Sequence, residues 1–106
     1  MKKYAFIFHG GWPKPEEAED YIKKWGSWIG SISQGKQIPG ERFQPTGKIA
    51  SGTNGDKISD IPIGNDTVGA YLIVEANSYE EAVALTKGCP IFENGGTTEV
   101  RGIMSM

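Results

Sequence analysis

The sequence predicts an α+β fold of the ferredoxin-like type, and three observations support this prediction. Two segments carry the three- and four-residue apolar spacing of helices, and each lies between strand-like segments. The resulting order, β-α-β(ββ)-β-α-β, is that of a ferredoxin-like sandwich with an additional hairpin. Residues 3–9 and 68–76 are apolar on both faces, which is typical of strands buried on both sides.

The bulk composition indicates one globular domain, residues 1–106, with 38% hydrophobic and 23% charged residues. The net charge of -2 and the scattered basic residues argue against nucleic acid or a membrane surface as a partner. The single cysteine, Cys89, cannot form an internal disulfide, and the apolar run before His9 is too short for a signal peptide. We therefore expect a cytoplasmic protein.

The first half begins with a strand at residues 3–9, in which Tyr4, Phe6 and Phe8 share one face and Ala5, Ile7 and His9 share the other. A helix follows Pro15 and ends near Gly35. Its predicted inner stripe comprises Ala18, Tyr21, Ile22, Trp25, Ile29 and Ile32, with Trp28 on the flank. Gly26 and Gly30 lie four residues apart, and we expect another element to pack close to the backbone there.

The second half is predicted to contain short strands between residues 36 and 63, with a hairpin turn at Asn54-Gly55. Residues 68–76 form the central strand, and the capping box Ser78–Glu81 opens a second helix. The inner face of that helix is predicted to carry Tyr79, Ala82, Val83 and Thr86. A last strand spans residues 97–103.

The two strands that are apolar on both faces also predict a homodimer. In a ferredoxin-like fold both helices cover one face of the sheet, so the chain has no element left for the other face. The same face of a second copy is the expected cover.

Four stretches of the chain resemble the YCII-related family, in its DGPF-type branch. "GKQIPGERFQP" is similar to the family's glycine–apolar–GE-x-L-Q-P segment, and "KISDIPI" occupies the place of TDGPF, with Asp60 and Pro62 matching while Ile61 and Ile63 differ. "GAYLIVEANSYEEAVALTKGCP" and "TTEVRGI" resemble the later family stretches, in the same order. The family histidine of the first helix has no counterpart in "IKKWGSW".

This resemblance implies a ferredoxin-like protomer that forms a dimeric α+β barrel. Some family members are implicated in chemistry on small ring compounds with a His–Asp dyad, and the wider group includes isomerases and cofactor-independent oxygenases. DGPF-type members are often encoded beside alternative sigma factors, which hints at regulation. Because Ile61 replaces a motif glycine, a turn that needs glycine would have a different geometry here.

The candidate catalytic residues are His9, Glu41 and Asp60. His9 is the only histidine and ends the first strand, where an imidazole can act as general acid or base. The resemblance places Glu41 and Asp60 near that strand end, where either carboxylate could orient the imidazole. The alternative is that His9 only bonds its neighbours and that Glu41 only holds a glycine turn.

The candidate ligand-binding residues are Trp12, Arg42, Phe43 and Gln44. Strand parity puts Phe43 on the face of Glu41, and puts Arg42 and Gln44 on the other. Trp12 follows two glycines outside any periodic face, so it either stacks on a flat ligand or caps the core or the dimer contact.

No cofactor and no metal are implied, because one histidine, one cysteine and scattered carboxylates show no ligand spacing. Cys89 is interpreted as a small buried apolar group. Two functions stay open at this point. One is a small-molecule-binding protein, with acid/base chemistry if it is an enzyme, and the other is a non-catalytic regulatory or structural homodimer.

Overall fold

The computed structural model describes residues 1–104 of the 106-residue chain. The strands are β1 (Lys2–His9), β2 (Gly40–Arg42), β3 (Lys48–Ser51), β4 (Lys57–Asp60), β5 (Val68–Ala76) and β6 (Thr97–Gly102). The helices are α1 (Ala18–Ser33) and α2 (Tyr79–Leu85), with short 3₁₀ turns at Pro15–Glu17 and Pro90–Asn94. These elements follow the predicted order.

One antiparallel sheet has the strand order β2-β5-β1-β6. With β3 and β4 set aside, this is the order of a ferredoxin-like sheet, so the α+β prediction is confirmed. β5 has the predicted bounds, and β1 and β6 agree with the predicted bounds to within one residue.

The core lies between one face of this sheet and the two helices. Tyr4, Phe6 and Phe8 of β1 are almost completely buried there, beside Leu72, Val74 and Ala76 of β5. The ring of Phe6 stacks on that of Trp28 with centroids 6.4 Å apart. Since aromatic side chains bury more area than any others, these residues contribute much of the stabilisation.

Both helices are rotated slightly from the predicted orientation. Trp28, predicted on the flank of α1, is the buried residue of that helix, whereas Ile22 is about half exposed. In α2 the core contact comes from Ala82, while Tyr79 and Val83 are exposed. In α1 the reason is geometric, because a helix of 3.6 residues per turn lets a large indole on the flank reach the core before a smaller aliphatic side chain.

The close packing that was expected against Gly26 and Gly30 is not found within residues 1–104. A Cβ atom built on either glycine would meet nothing within 4 Å among residues 1–104. Both glycines lie on the exposed side of α1. In α2 the predicted cap is present, since the Glu81 amide donates to the Ser78 hydroxyl over 3.1 Å.

Residues 48–60 form a hairpin, which we call the arm. β3 and β4 pair only with each other, and every residue of both strands is exposed. The radius of gyration is 15.3 Å, against roughly 13 Å for a compact domain of about 100 residues. The arm therefore projects from the body of the protein.

The sheet face opposite the helices, which we call the open face, is formed by residues of all four strands. Strand pairing aligns Glu41, Tyr71, Ile7 and Glu99 in one row across it, and Ile73, Ala5 and Arg101 in the next. Its apolar members are only partly buried within the chain. The strands are thus apolar on both faces as predicted, with one face left partly exposed to solvent.

Within residues 1–104, neither helix has the length and apolar character that crossing a membrane would require.

Candidate active site

His9 lies at the end of β1, where the pairing with β5 shifts by one residue. Both of its ring nitrogens have partners. Nδ1 is 3.0 Å from the backbone carbonyl oxygen of Asp66, and Nε2 is 3.0 Å from Oε1 of Glu99. The His9 side chain is 24% exposed and that of Glu99 is 42% exposed, so a dissolved molecule can reach the pair.

The two contacts define the protonation of the ring. A carbonyl oxygen only accepts hydrogen bonds, so the contact with Asp66 is a hydrogen bond in the forms of His9 that carry a proton on Nδ1. The Glu99 carboxylate is also an acceptor, and it is best satisfied when Nε2 carries a proton as well. The arrangement therefore favours an imidazolium–carboxylate pair.

The pKa of His9 is raised above its ordinary value of 6.5. The main cause is the hydrogen bond to the Asp66 carbonyl, partial burial acts in the opposite direction, and the bond and charge of Glu99 raise the pKa further. Arg101 donates from Nη1 to the other carboxylate oxygen of Glu99 at 3.4 Å. Glu99 is thus positioned between the guanidinium group of Arg101 and the imidazole of His9.

This shift predicts a pH-dependent contribution of His9 to stability. Because the pKa is higher in the folded than in the unfolded protein, the contribution is complete below pH 6.5 and is lost as the pH rises through the folded pKa. Urea unfolding at a series of pH values should show the free energy of unfolding decreasing over that window in the wild type. His9→Gln should remove this component, and an identical pH profile in both proteins would contradict the assignment.

The carboxylate that meets His9 is Glu99, whereas Glu41 and Asp60 had been expected there. Asp60 lies on the arm and forms an ion pair with Lys48, its partner across the hairpin. Glu41 lies on β2 and is separated from β1 by the intervening strand β5. It still belongs to the open face, in the same row as Glu99.

The aromatic candidates surround the same sheet region. The Phe43 ring is 5.9 Å from that of Tyr71, which is the cross-strand neighbour of Glu41. The Trp12 indole lies over β5, where a Cβ on Gly69 would be 2.7 Å from the ring, and its Nε1 donates to the Gly64 carbonyl at 3.2 Å. Glycine at position 69 therefore makes room for the indole.

Arg42 and Gln44 are both exposed. Arg42 is opposite Ala70 in the pairing of β2 with β5, so it alternates with Glu41 and lies on the other side of the sheet, as strand parity predicted.

Residues 60–63, which the sequence analysis compared with a DGPF motif, have an ordinary backbone. Among residues 1–104 only Gln34 combines a positive φ with a side chain, so Ile61 adopts a conformation open to any L-residue. Its amide donates to the Gly47 carbonyl at the base of the arm. Isoleucine at position 61 is therefore compatible with the turn formed here.

Cys89 is buried, with 3% of its surface exposed, and burial raises the pKa of its thiol to about 12. A thiol in that state is a weak nucleophile near neutral pH, which agrees with its interpretation as an apolar core residue.

A separate groove of about 530 Å³ lies on the helix side. Its walls come from α1 and from residues 87–93, and Lys24 forms an ion pair with Glu93 at its edge. Because the helices lie on the opposite face of the sheet, this groove is distinct from the region around His9.

Glu99 was not among the residues predicted from the sequence, although a signal for it was present. In a ferredoxin-like sheet the last strand runs antiparallel to the first. The start of "TTEVRG" must therefore lie beside His9, and Glu99 alternates with Val100, which is partly buried and packs against the core.

Comparison with solved structures supports the fold. The chain is similar to 5-chloro-2-hydroxyhydroquinone dehydrochlorinase (TftG) from Burkholderia phenoliruptrix AC1100, solved in complex with 2,5-dihydroxybenzoquinone. The TM-score is 0.54 and the identity 18%, with 96% of this chain and 93% of TftG covered. No family model and no curated protein sequence matches the chain. At this identity the likeness shows a shared fold over almost the whole chain.

Proposed function

We propose that the open face binds a small organic molecule and that His9 and Glu99 exchange protons with it. The observation that carries the proposal is the His9–Glu99 pair, partly exposed beside the apolar side chains Ile7 and Tyr71. Binding sites of small ligands commonly combine an apolar surface with a few polar groups.

The chemistry of the pair fits acid/base work. The imidazolium can give its Nε2 proton to a ligand oxygen and becomes neutral, still protonated at Nδ1. The Glu99 carboxylate can accept a proton from the ligand, and Arg101 stabilises its charge beforehand. A hydroxylated ring is a suitable ligand class, because it offers an apolar body together with ionisable oxygens.

Two similarities support this ligand class. TftG is by name a dehydrochlorinase of a chlorinated hydroxyhydroquinone, and its structure was solved with 2,5-dihydroxybenzoquinone bound. The resemblance to the YCII-related family, in its DGPF-type branch, points to small ring compounds as well. We propose membership of that family on those grounds.

A second copy of the chain is the proposed cover of the open face, which would enclose the ligand between the two copies as in the dimeric α+β barrel that the resemblance implies. The face has an apolar centre formed by Ala5, Ile7, Tyr71 and Ile73, with charged groups of both signs around it. The projecting arm adds further contact area, because Ile49 and Ile58 are 42% and 64% exposed. Light scattering should give twice the 11.5 kDa mass of the chain, and a monomer mass at micromolar concentration would overturn this part of the proposal.

Calorimetric titration with 2,5-dihydroxybenzoquinone tests the function. We expect the wild type to bind, and His9→Gln and Glu99→Gln to bind about tenfold more weakly or worse, since a hydrogen bond to a charged group contributes about 1.5–3 kcal/mol. Glu93→Gln is the matched control on the helix side, where Glu93 pairs with Lys24, and should bind like the wild type.

The non-catalytic homodimer remains the second candidate, because both ring nitrogens of His9 already have partners inside the chain. A wild type that shows no binding at millimolar probe, or a His9→Gln variant with wild-type affinity, would favour this alternative and contradict the acid/base proposal.

A further inference from the structure

Thr67 is a buried polar residue with an unusually complete set of hydrogen bonds. Only 7% of its surface is exposed. Its hydroxyl donates to the Pro62 carbonyl at 2.7 Å and accepts from the Gly64 amide at 2.8 Å, while its own amide donates to the Gly64 carbonyl at 3.1 Å. The hydroxyl therefore closes residues 62–67 into a compact loop, which we call the Thr67 loop.

The Thr67 loop is bound to the end of β1 at several points. The Gly10 amide donates to the Thr67 carbonyl at 2.9 Å, and Trp12 donates to the carbonyl of Gly64. Between these two contacts lies Asp66, whose carbonyl oxygen accepts from Nδ1 of His9. The loop thus meets the candidate catalytic residue through its backbone.

We propose that Thr67 is a positioning residue for His9. Its hydroxyl fixes the loop so that the Asp66 carbonyl holds the imidazole with Nδ1 protonated and Nε2 directed toward Glu99. This inference rests on the proposed function and specifies the atom that performs it. With Nδ1 held by Asp66, Nε2 is the only ring atom that can give a proton to a ligand and take it back. Without the hydroxyl, the Pro62 carbonyl and the Gly64 amide lose a shared partner and the loop is free to shift.

The charged groups that face His9 come from two elements. β6 contributes Glu99, with Arg101 bonded to it, and the Thr67 loop contributes Asp66. β5 presents Val68, the cross-strand partner of His9. A change in the Thr67 loop should therefore alter the histidine separately from a change at Glu99.

The test is nuclear magnetic resonance of the imidazole nitrogens, which needs no assignment because the chain has one histidine. In the wild type the neutral form of His9 should be the Nδ1–H tautomer, and its pKa should exceed 6.5. Thr67→Val removes the hydroxyl and keeps the branched shape. It should give a mixture of tautomers and a pKa closer to 6.5, while the matched Thr67→Ser variant should behave like the wild type.

Two further variants separate this proposal from the proposed function. Glu99→Gln should lower the pKa of His9 and keep the Nδ1–H tautomer, because the Asp66 carbonyl is unchanged. Asp66→Asn should also keep the tautomer, since the contact is made by the backbone. An Nε2–H tautomer in the wild type would overturn the positioning role even if Thr67→Val does not fold. A Thr67→Val variant in which His9 has the pKa of the wild type would also overturn the positioning role. Neither result depends on a ligand.

Discussion

Phe6→Ala should destabilise the protein by about 3–5 kcal/mol, which is the range for truncating a buried aromatic residue. The Phe6 side chain has 0% exposure, at the centre of the sheet face that the helices cover. It contacts the Phe8 ring edge-on and stacks on Trp28. Small domains have a total stability of roughly 5–15 kcal/mol, so this one change removes a large share of it.

Urea unfolding followed by tryptophan fluorescence measures the loss. Phe92→Ala is the matched control, because Phe92 is 48% exposed in the 3₁₀ turn after α2, and its truncation should cost less than about 1 kcal/mol. Equal losses for the two variants would mean that the core is not centred on β1.

Gly10→Ala should also be strongly destabilising, by roughly 2–5 kcal/mol. Gly10 has a φ of +67°, and a side chain in the left-handed region costs about 1–2 kcal/mol. A Cβ atom there would lie 2.5 Å from the backbone oxygen of Asn65, and overpacking adds about 1–3 kcal/mol. The clash is with backbone of the Thr67 loop, so a change of rotamer cannot relieve it.

The same variant should disturb the candidate site, since the Thr67 loop holds His9 through Asp66. Gly26→Ala is the matched control on the exposed side of α1, where the added methyl meets nothing within 4 Å and should stabilise the helix by about 0.5–1 kcal/mol. Thermal unfolding of both variants measures the contrast. A Gly10→Ala protein as stable as the wild type, with an unchanged His9 pKa, would contradict the close contact with the loop.

The regular elements were predictable because their signals are local. A short apolar run that ends at His9 defined β1, and the continuous apolar run of β5 gave its bounds as observed. The Ser78 cap marked the start of α2. The orientation of α1 was less predictable, because Ile22 and Trp28 compete for the core and only the assembled packing shows that the indole is buried.

In the candidate site, too, only the features with a local sequence signal were predictable. His9 was predicted as the end of a strand, and Glu41 was predicted on the face with Phe43, since parity along a strand is a local property. The carboxylate partner of His9 was not predicted, because Glu99 is 90 residues away along the chain and reaches His9 only through the pairing of β6 with β1. The Asp66 carbonyl lies 57 residues away and carries no side-chain signal at all.

The sequence by itself determined the α+β class, the order of the elements and two strands that are apolar on both faces. Each of these follows from the spacing of apolar residues, to which a helix and a strand respond differently. The tertiary structure alone decided that Asp60 pairs with Lys48 on a projecting arm and that Glu99 meets His9. The reason is that a carboxylate bonds whichever donor the fold brings near it, and strand pairing, rather than distance along the chain, brings the donors together.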